Sequence, residues 1–227
     1  MEHVNPDETP RLDEHRGDGV LRATTRMEAF ADAVFAIAFT LPIVEIGLPE
    51  AGPEFARRLI ELWPAYLSYG LSTLVIGVYW AQHHFSGAIY RTAGHRFLLA
   101  TLLFLASIGF IAFPTSAFAE HIINPYGRIS GAQFYVGALS LTAVTWWIKW
   151  RTGVTQGEVD ERIDPNYIHR LNRKYATTTA LMVLALPLAF VRWEAGLALA
   201  LVVTLYYVFP PETPVYLRSA PKIEGEA

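Results

Sequence analysis

Arg26 and Asp32 stand at the mouth of a long apolar run, and Trp80, His83 and His84 end a second one. Charges and imidazoles in such places are costly to keep out of water and usually face a protein interior or a water path rather than lipid. Two kinds of chemistry use these residue types. A hydrogen-bonded clasp pairs the carboxylate with an imidazole or indole donor and lets the arginine neutralise it. A metal centre would take His83, His84 and Asp32 as ligands. Adjacent histidines on a helix point about 100° apart, and no second acidic or histidine pair stands nearby in the chain, so the clasp is expected and no metal or catalytic residue is assigned. A plainer reading has Arg26 snorkelling to an interface and Asp32 suiting the positive end of a helix.

The elements that must position these residues follow from composition. Of 227 residues, 52% are hydrophobic and 17% charged, which is too apolar for an ordinary soluble domain and predicts an all-α polytopic membrane protein. Runs long enough to cross about 30 Å of hydrocarbon cover residues 29–48, 63–90, 97–119, 129–148, 176–191 and 195–209. The last two are short and need extension, little tilt or shielding by neighbours. The organisation is a polar N-terminal segment, 1–24, a membrane domain, 25–212, and a short tail, 213–227. Residues 1–19 lack the apolar core of a signal peptide. The absence of cysteine excludes disulfides and thiolate metal sites, and a net charge of -3 gives no basis for nucleic-acid binding.

Basic residues set the orientation. With the N-terminus inside, Arg11, Arg16, Arg22, Arg26, Arg91, Arg96, Lys149, Arg151, Arg162, Arg170, Arg173, Lys174, Arg218 and Lys222 fall on the cytoplasmic side. Arg57, Arg58, Arg128 and Arg192 remain outside. This bias predicts both termini in the cytoplasm and an even number of spans. Gly47, Pro49, Gly52 and Pro53 break the chain after the first span. Asp164 followed by Pro165 predicts an N-cap and first helical position, so the fifth helix begins before its apolar stretch, with Arg170 to Lys174 among anionic headgroups.

In the first helix Phe30, Ala33, Ile37, Leu41, Val44 and Leu48 share one stripe, with Thr40 about 60° from Ile37 and Asp32 about 140° from it. Ile37 and Asp32 therefore serve different surfaces. A stripe facing a pore would leave Asp32 facing the protein's own helices. Pro42 permits a bend, and Glu45 at the outer end would concentrate cations in a ring of copies. The segment Thr73 to Tyr79 echoes a carbonyl filter only faintly. It lies inside an uninterrupted helix, whose carbonyls are consumed by its own hydrogen bonds.

Arg26-x-x-x-Phe30-Ala31-Asp32, the following Ala33 to Leu41, Trp80-x-x-His83-His84 and Pro114 to Phe118 together resemble the endolysosomal potassium-channel family marked by an Arg-x-x-x-Phe-Ser-Asp motif. The chain looks more like the family's bacterial members, which carry one six-helix repeat instead of two. The resemblance implies a homotetramer in a bacterial inner membrane, with four first helices lining the pore. It also implies potassium as the permeant monovalent cation with no other cofactor, and membrane lipid as surroundings. Ile37 then corresponds to the hydrophobic constriction, Thr40, Leu41, Val44 and Leu48 to further pore layers, and Glu45 to the mouth. Arg26, Phe30, Asp32, Trp80, His83 and His84 correspond to the network that braces the pore helix. An isoleucine ring offers no carbonyl cage, so modest selectivity for potassium over sodium is expected. Ala31 departs from the motif's serine, and Ala100 stands where an asparagine is expected.

Alternatives to a potassium channel are a proton-permeable channel, which His83 and His84 would serve, and a secondary transporter. A transporter would favour repeats and broken helices, and Pro42 is the one interruption in the pattern. A membrane-embedded enzyme would need His83, His84 and Asp32 to converge, and none is expected.

Overall fold

The computed structural model describes residues 22–210, 213–215 and 217. Helix α1, Thr25–Val44, buries Met27, Ala31, Phe35, Ala38 and Pro42 at steps of three and four, which places them on one face. After Glu45 the glycine and proline cluster keeps the chain non-helical. Leu48 therefore lies beyond the helix, and its expected place on the α1 stripe does not hold: a wheel angle has no meaning past Val44. Helix α2, Phe55–Glu61, meets α3, Trp63–Gly87, at a bend of 43°. Pro64 occupies the first turn of α3, where a missing N–H costs nothing.

The third expected span is two helices, α4, His95–Phe110, and α5, Ala112–Glu120. Pro114 explains the break, since its ring opposes the carbonyl four residues earlier, at Phe110. Helix α6, Arg128–Thr155, continues well past residue 148. Helix α7, Pro165–Val191, starts at the expected cap, where the Asp164 carboxylate accepts from Asn166 N–H at 2.8 Å. Helix α8, Trp193–Tyr206, is the short last element.

Helix α6 is the hub. It packs on α4, α5, α7 and α8, while α1 packs on α3 and α4. Where α6 crosses α5, Gly131 lets the backbones meet: a Cβ there would lie 2.9 Å from the Ala117 carbonyl oxygen. Surrounded by protein, α6 tolerates polar residues that bond to its neighbours. Ser140 Oγ donates to the Met182 carbonyl at 2.8 Å, and the Ser107 and Thr145 hydroxyls pair at 2.9 Å. Helices α1, α7 and the α4–α5 stretch are long and apolar enough to cross a membrane, as is the bent α2–α3 pair taken as one span. Helix α6 carries more polar residues along its length, and α8 is shorter, at 14 residues.

At the end of the bundle where α1 begins, the connections knit together. Strand β1, Arg22–Ala23, pairs antiparallel with β2, Thr92–Ala93, and Tyr90 bridges Val159. The buried Glu158 carboxylate accepts from Thr92 Oγ1 and, at 2.8 Å, from Gly94 N–H, which caps α4. Past α8 the chain returns to this end: Asp164 N–H donates to Val215 O and Leu217 N–H to Arg162 O, both at 2.8 Å. The expectations placed on Arg11, Arg16, Arg218 and Lys222 lie outside the described residues.

Candidate functional site

The face of α1 opposite its packed side is apolar and open. Phe30, Ile37, Leu41 and Val44 are all exposed, Ile37 at 57%. Phe35, which is buried, lies about 160° from Ile37 on the helical wheel, so the Ile37 side points away from the core of the chain. Thr40 belongs to the open face as well. Its hydroxyl donates back to the Ala36 carbonyl at 2.9 Å, which uses the only hydroxyl proton and turns oxygen lone pairs outward. Pro42, buried one turn before Glu45, supplies no N–H to the Ala38 carbonyl.

Asp32 sits at the edge between this face and α3. Its Oδ1 accepts from Trp80 Nε1 at 3.1 Å, and the Trp80 ring stacks on His84 with centroids 5.7 Å apart. A carboxylate, an indole and an imidazole thus form a string from α1 onto α3. Arg26 is exposed and forms no ion pair with Asp32 among the described residues, so neutralisation of Asp32 by Arg26 is not seen. Ala31 is fully buried, and a serine there would carry a hydroxyl into the α1 core contact. Ala100 is also buried.

His83 does not join that string. One residue along the helix from His84, it turns into the core, at 3% exposure, where its Nδ1 lies 2.9 Å from Lys149 Nζ. An ammonium has only donors, so Nδ1 accepts and the ring proton sits on Nε2, which is buried without a partner. Lys149 was expected in a cytoplasmic loop. It is instead 1% exposed on α6, with Ser86 Oγ at 3.4 Å and aromatic rings around it. Trp146 is nearest, at 4.7 Å, followed by Tyr90 at 5.5 Å and Phe97 and Phe104 at 5.9 Å. The signal was present in the sequence: Lys149 shares a helical face with Thr142, Thr145 and Trp146, all buried.

Between the string and the buried pair, Glu28, Asp32, His83, His84 and Tyr90 line an open cleft of about 400 Å³. Asp32 and Trp80 also border an apolar groove of about 720 Å³ that runs between α1 and α3 along Phe35, Phe39 and Ile76. Among the described residues no group of three or more His, Asp or Glu side chains is placed to hold a metal ion. The arrangement is that of a helix tied to its neighbour by side-chain contacts and carrying an apolar outer face.

Residues 26–112, which hold α1 through α4, match the family described as endosomal/lysosomal potassium channel TMEM175. A protein of Streptomyces collinus named as a potassium channel is 33% identical over 202 residues, covering 86% of this chain and 96% of that protein. The crystal structure of a lysosomal potassium-selective channel TMEM175 homolog from Chamaesiphon minutus superposes with a TM-score of 0.70 at 28% identity. It covers 82% of this chain and 96% of its own. A Gallus gallus protein named endosomal/lysosomal proton channel TMEM175 is 39% identical over 113 residues, 44% of this chain and 22% of that protein.

Proposed function

This chain belongs to the TMEM175 family of ion channels, which are not enzymes, and from that membership we propose that it is a potassium-permeable channel whose pore is lined by α1. Four copies assemble with their α1 helices around a central axis. The observation that carries this reading is the apolar face of α1, open in the protomer and opposite the face packed on α3 and α4. In a tetramer that face closes on itself, with Ile37 as the constriction, Thr40, Leu41 and Val44 as further layers, and Glu45 and Leu48 at the mouth.

A ring of isoleucines cannot replace the hydration shell with oxygen ligands. Passage then requires partial dehydration, which costs potassium less than sodium, and the same ring can close by dewetting. Modest potassium selectivity and hydrophobic gating follow from one structural element. The Asp32–Trp80 bond, the Trp80–His84 stack and the buried His83–Lys149 pair brace α1 through α3 and α6. The protein is a multi-pass protein of the bacterial cell membrane with six spans and both termini cytoplasmic. In that arrangement α6 crosses shielded by its neighbours, which removes the need for a wholly apolar surface.

Thiol block tests the pore wall, because the chain contains no cysteine. Current through Thr40→Cys channels is expected to fall on adding a charged methanethiosulfonate, while Phe35→Cys, on the packed face, stays unaffected. Equal insensitivity of both would remove α1 from the pore.

A second reading, proton permeation, is favoured by the titratable cleft of Glu28, Asp32, His83 and His84 and by the name of the Gallus gallus relative. An inward current driven by an acid gradient in potassium-free solution would support it.

A further inference from the structure

We propose that the groove between α7 and α8 is a binding site for an anionic diacyl phospholipid, with the phosphate held by Arg170, Arg173 and Lys174. These residues occupy the early turns of α7 and line one end of an open groove of about 510 Å³. Thr177 and Thr178 follow, and then Leu181 on α7 faces Val202 and Val203 on α8. At 1.5 Å rise per residue, Leu181 lies about 10 Å along the helix from Lys174. Cations, then hydroxyls, then an aliphatic floor reproduce the order of phosphate, glycerol esters and acyl chain in a phospholipid.

The ammonium of Lys174 is set in place rather than free to swing, lying 5.2 Å over the Tyr206 ring and 5.3 Å over that of Tyr207. Helices α7 and α8 pack on α6, and α1 packs on α3 and α4, so this groove is built on elements other than those that carry the open face of α1. A soluble phosphate would satisfy the cationic end alone and make no contact with the aliphatic floor. The combination selects a lipid. The inference requires that the chain sits in a membrane and is independent of which ion it passes.

Native mass spectrometry of the detergent-released oligomer, titrated with phosphatidylglycerol or phosphatidylcholine of the same acyl chains, tests the site. The natural sequence is expected to retain phosphatidylglycerol about tenfold better, and a variant carrying R170Q, R173Q and K174Q together should lose that preference. Leu181→Trp, which blocks the floor and keeps the cations, should weaken retention of phosphatidylglycerol on a chain with an unchanged thermal midpoint. Excess inorganic phosphate should not displace the lipid. Equal retention of the two lipids, an unchanged preference in the folded triple variant, indifference to Leu181→Trp, or displacement by phosphate would each overturn the proposal. None of these readouts involves current, so a failed channel reading leaves the result interpretable.

Discussion

Lys149 Nζ lies 2.9 Å from His83 Nδ1 with both side chains buried, joining α6 to α3 behind the helix that carries the open apolar face. The two partners are not equivalent. His83→Ala strands an ammonium whose remaining oxygen neighbour, Ser86, is 3.4 Å away, and a buried pair broken this way costs about 3–5 kcal/mol. Lys149→Met keeps the length and the aromatic packing and leaves one neutral nitrogen unpaired, at about 1–3 kcal/mol. Equilibrium unfolding in detergent should rank His83→Ala as the more damaging change. The reverse order would mean that Lys149 is not charged in the folded protein.

The Asp32–Trp80 bond is half exposed, so its worth is smaller. Trp80→Phe deletes the donor and is expected to cost about 1 kcal/mol, whereas Asp32→Asn retains an acceptor oxygen and should cost less. Thermal melts of both variants check the ranking. A larger loss from Asp32→Asn would show that the negative charge itself, through a partner other than Trp80, holds α1.

What the sequence showed and what it hid divide on physical lines. The apolar runs fall on helices, the third of them on two, and the Asp164–Pro165 start of α7 is found where capping chemistry puts it. The brace was legible only in part. Asp32 and Trp80 meet, and the divergence of about 100° between adjacent side chains sends His83 inward and His84 out, so that only His84 joins Trp80. A charge at the end of an apolar run reads as loop, yet Lys149 is buried, which a cation tolerates where aromatic faces and an acceptor surround it. Leu48 continues the α1 stripe by spacing alone, but the helix ends at Val44, ahead of the breakers. Glu158 gave no signal at all, since its donors come from the α3–α4 turn, far away in the chain.

Close backbone approach at Gly131 gives a steric prediction. Gly131→Val would push side-chain carbon against the Ala117 carbonyl and Phe118 Cα, both rigid helix backbone at 2.9 Å from the first added atom. Separating α5 from α6 should destabilise the fold by at least about 2 kcal/mol. Gly137→Val, where a Cβ would meet only a flexible Leu186 methyl at 3.7 Å, should be mild. Folded yield after size-exclusion chromatography compares them, and equal yields would contradict the crossing geometry.

Asp160 gives the pH dependence. Hydrogen bonds from the Arg162 side chain, and then from its backbone N–H, hold the carboxyl at about 2, below the ordinary 3.8. A carboxyl depressed on folding adds stability that is complete above its unfolded value and lost as pH falls from near 4 to near 2. Asp160→Asn should therefore narrow the stability gap to the natural sequence as the solution is acidified through that window. A gap that stays constant would contradict the pairing.

Passage of potassium along the Ile37 face of α1 is tested most directly by a reversal potential. Purified protein in a planar bilayer, with potassium chloride on one side and sodium chloride on the other, should reverse toward the potassium equilibrium potential, and Ile37→Asn should move the reversal toward zero. Absence of current from a folded oligomer, or a reversal unchanged by Ile37→Asn, would contradict the account.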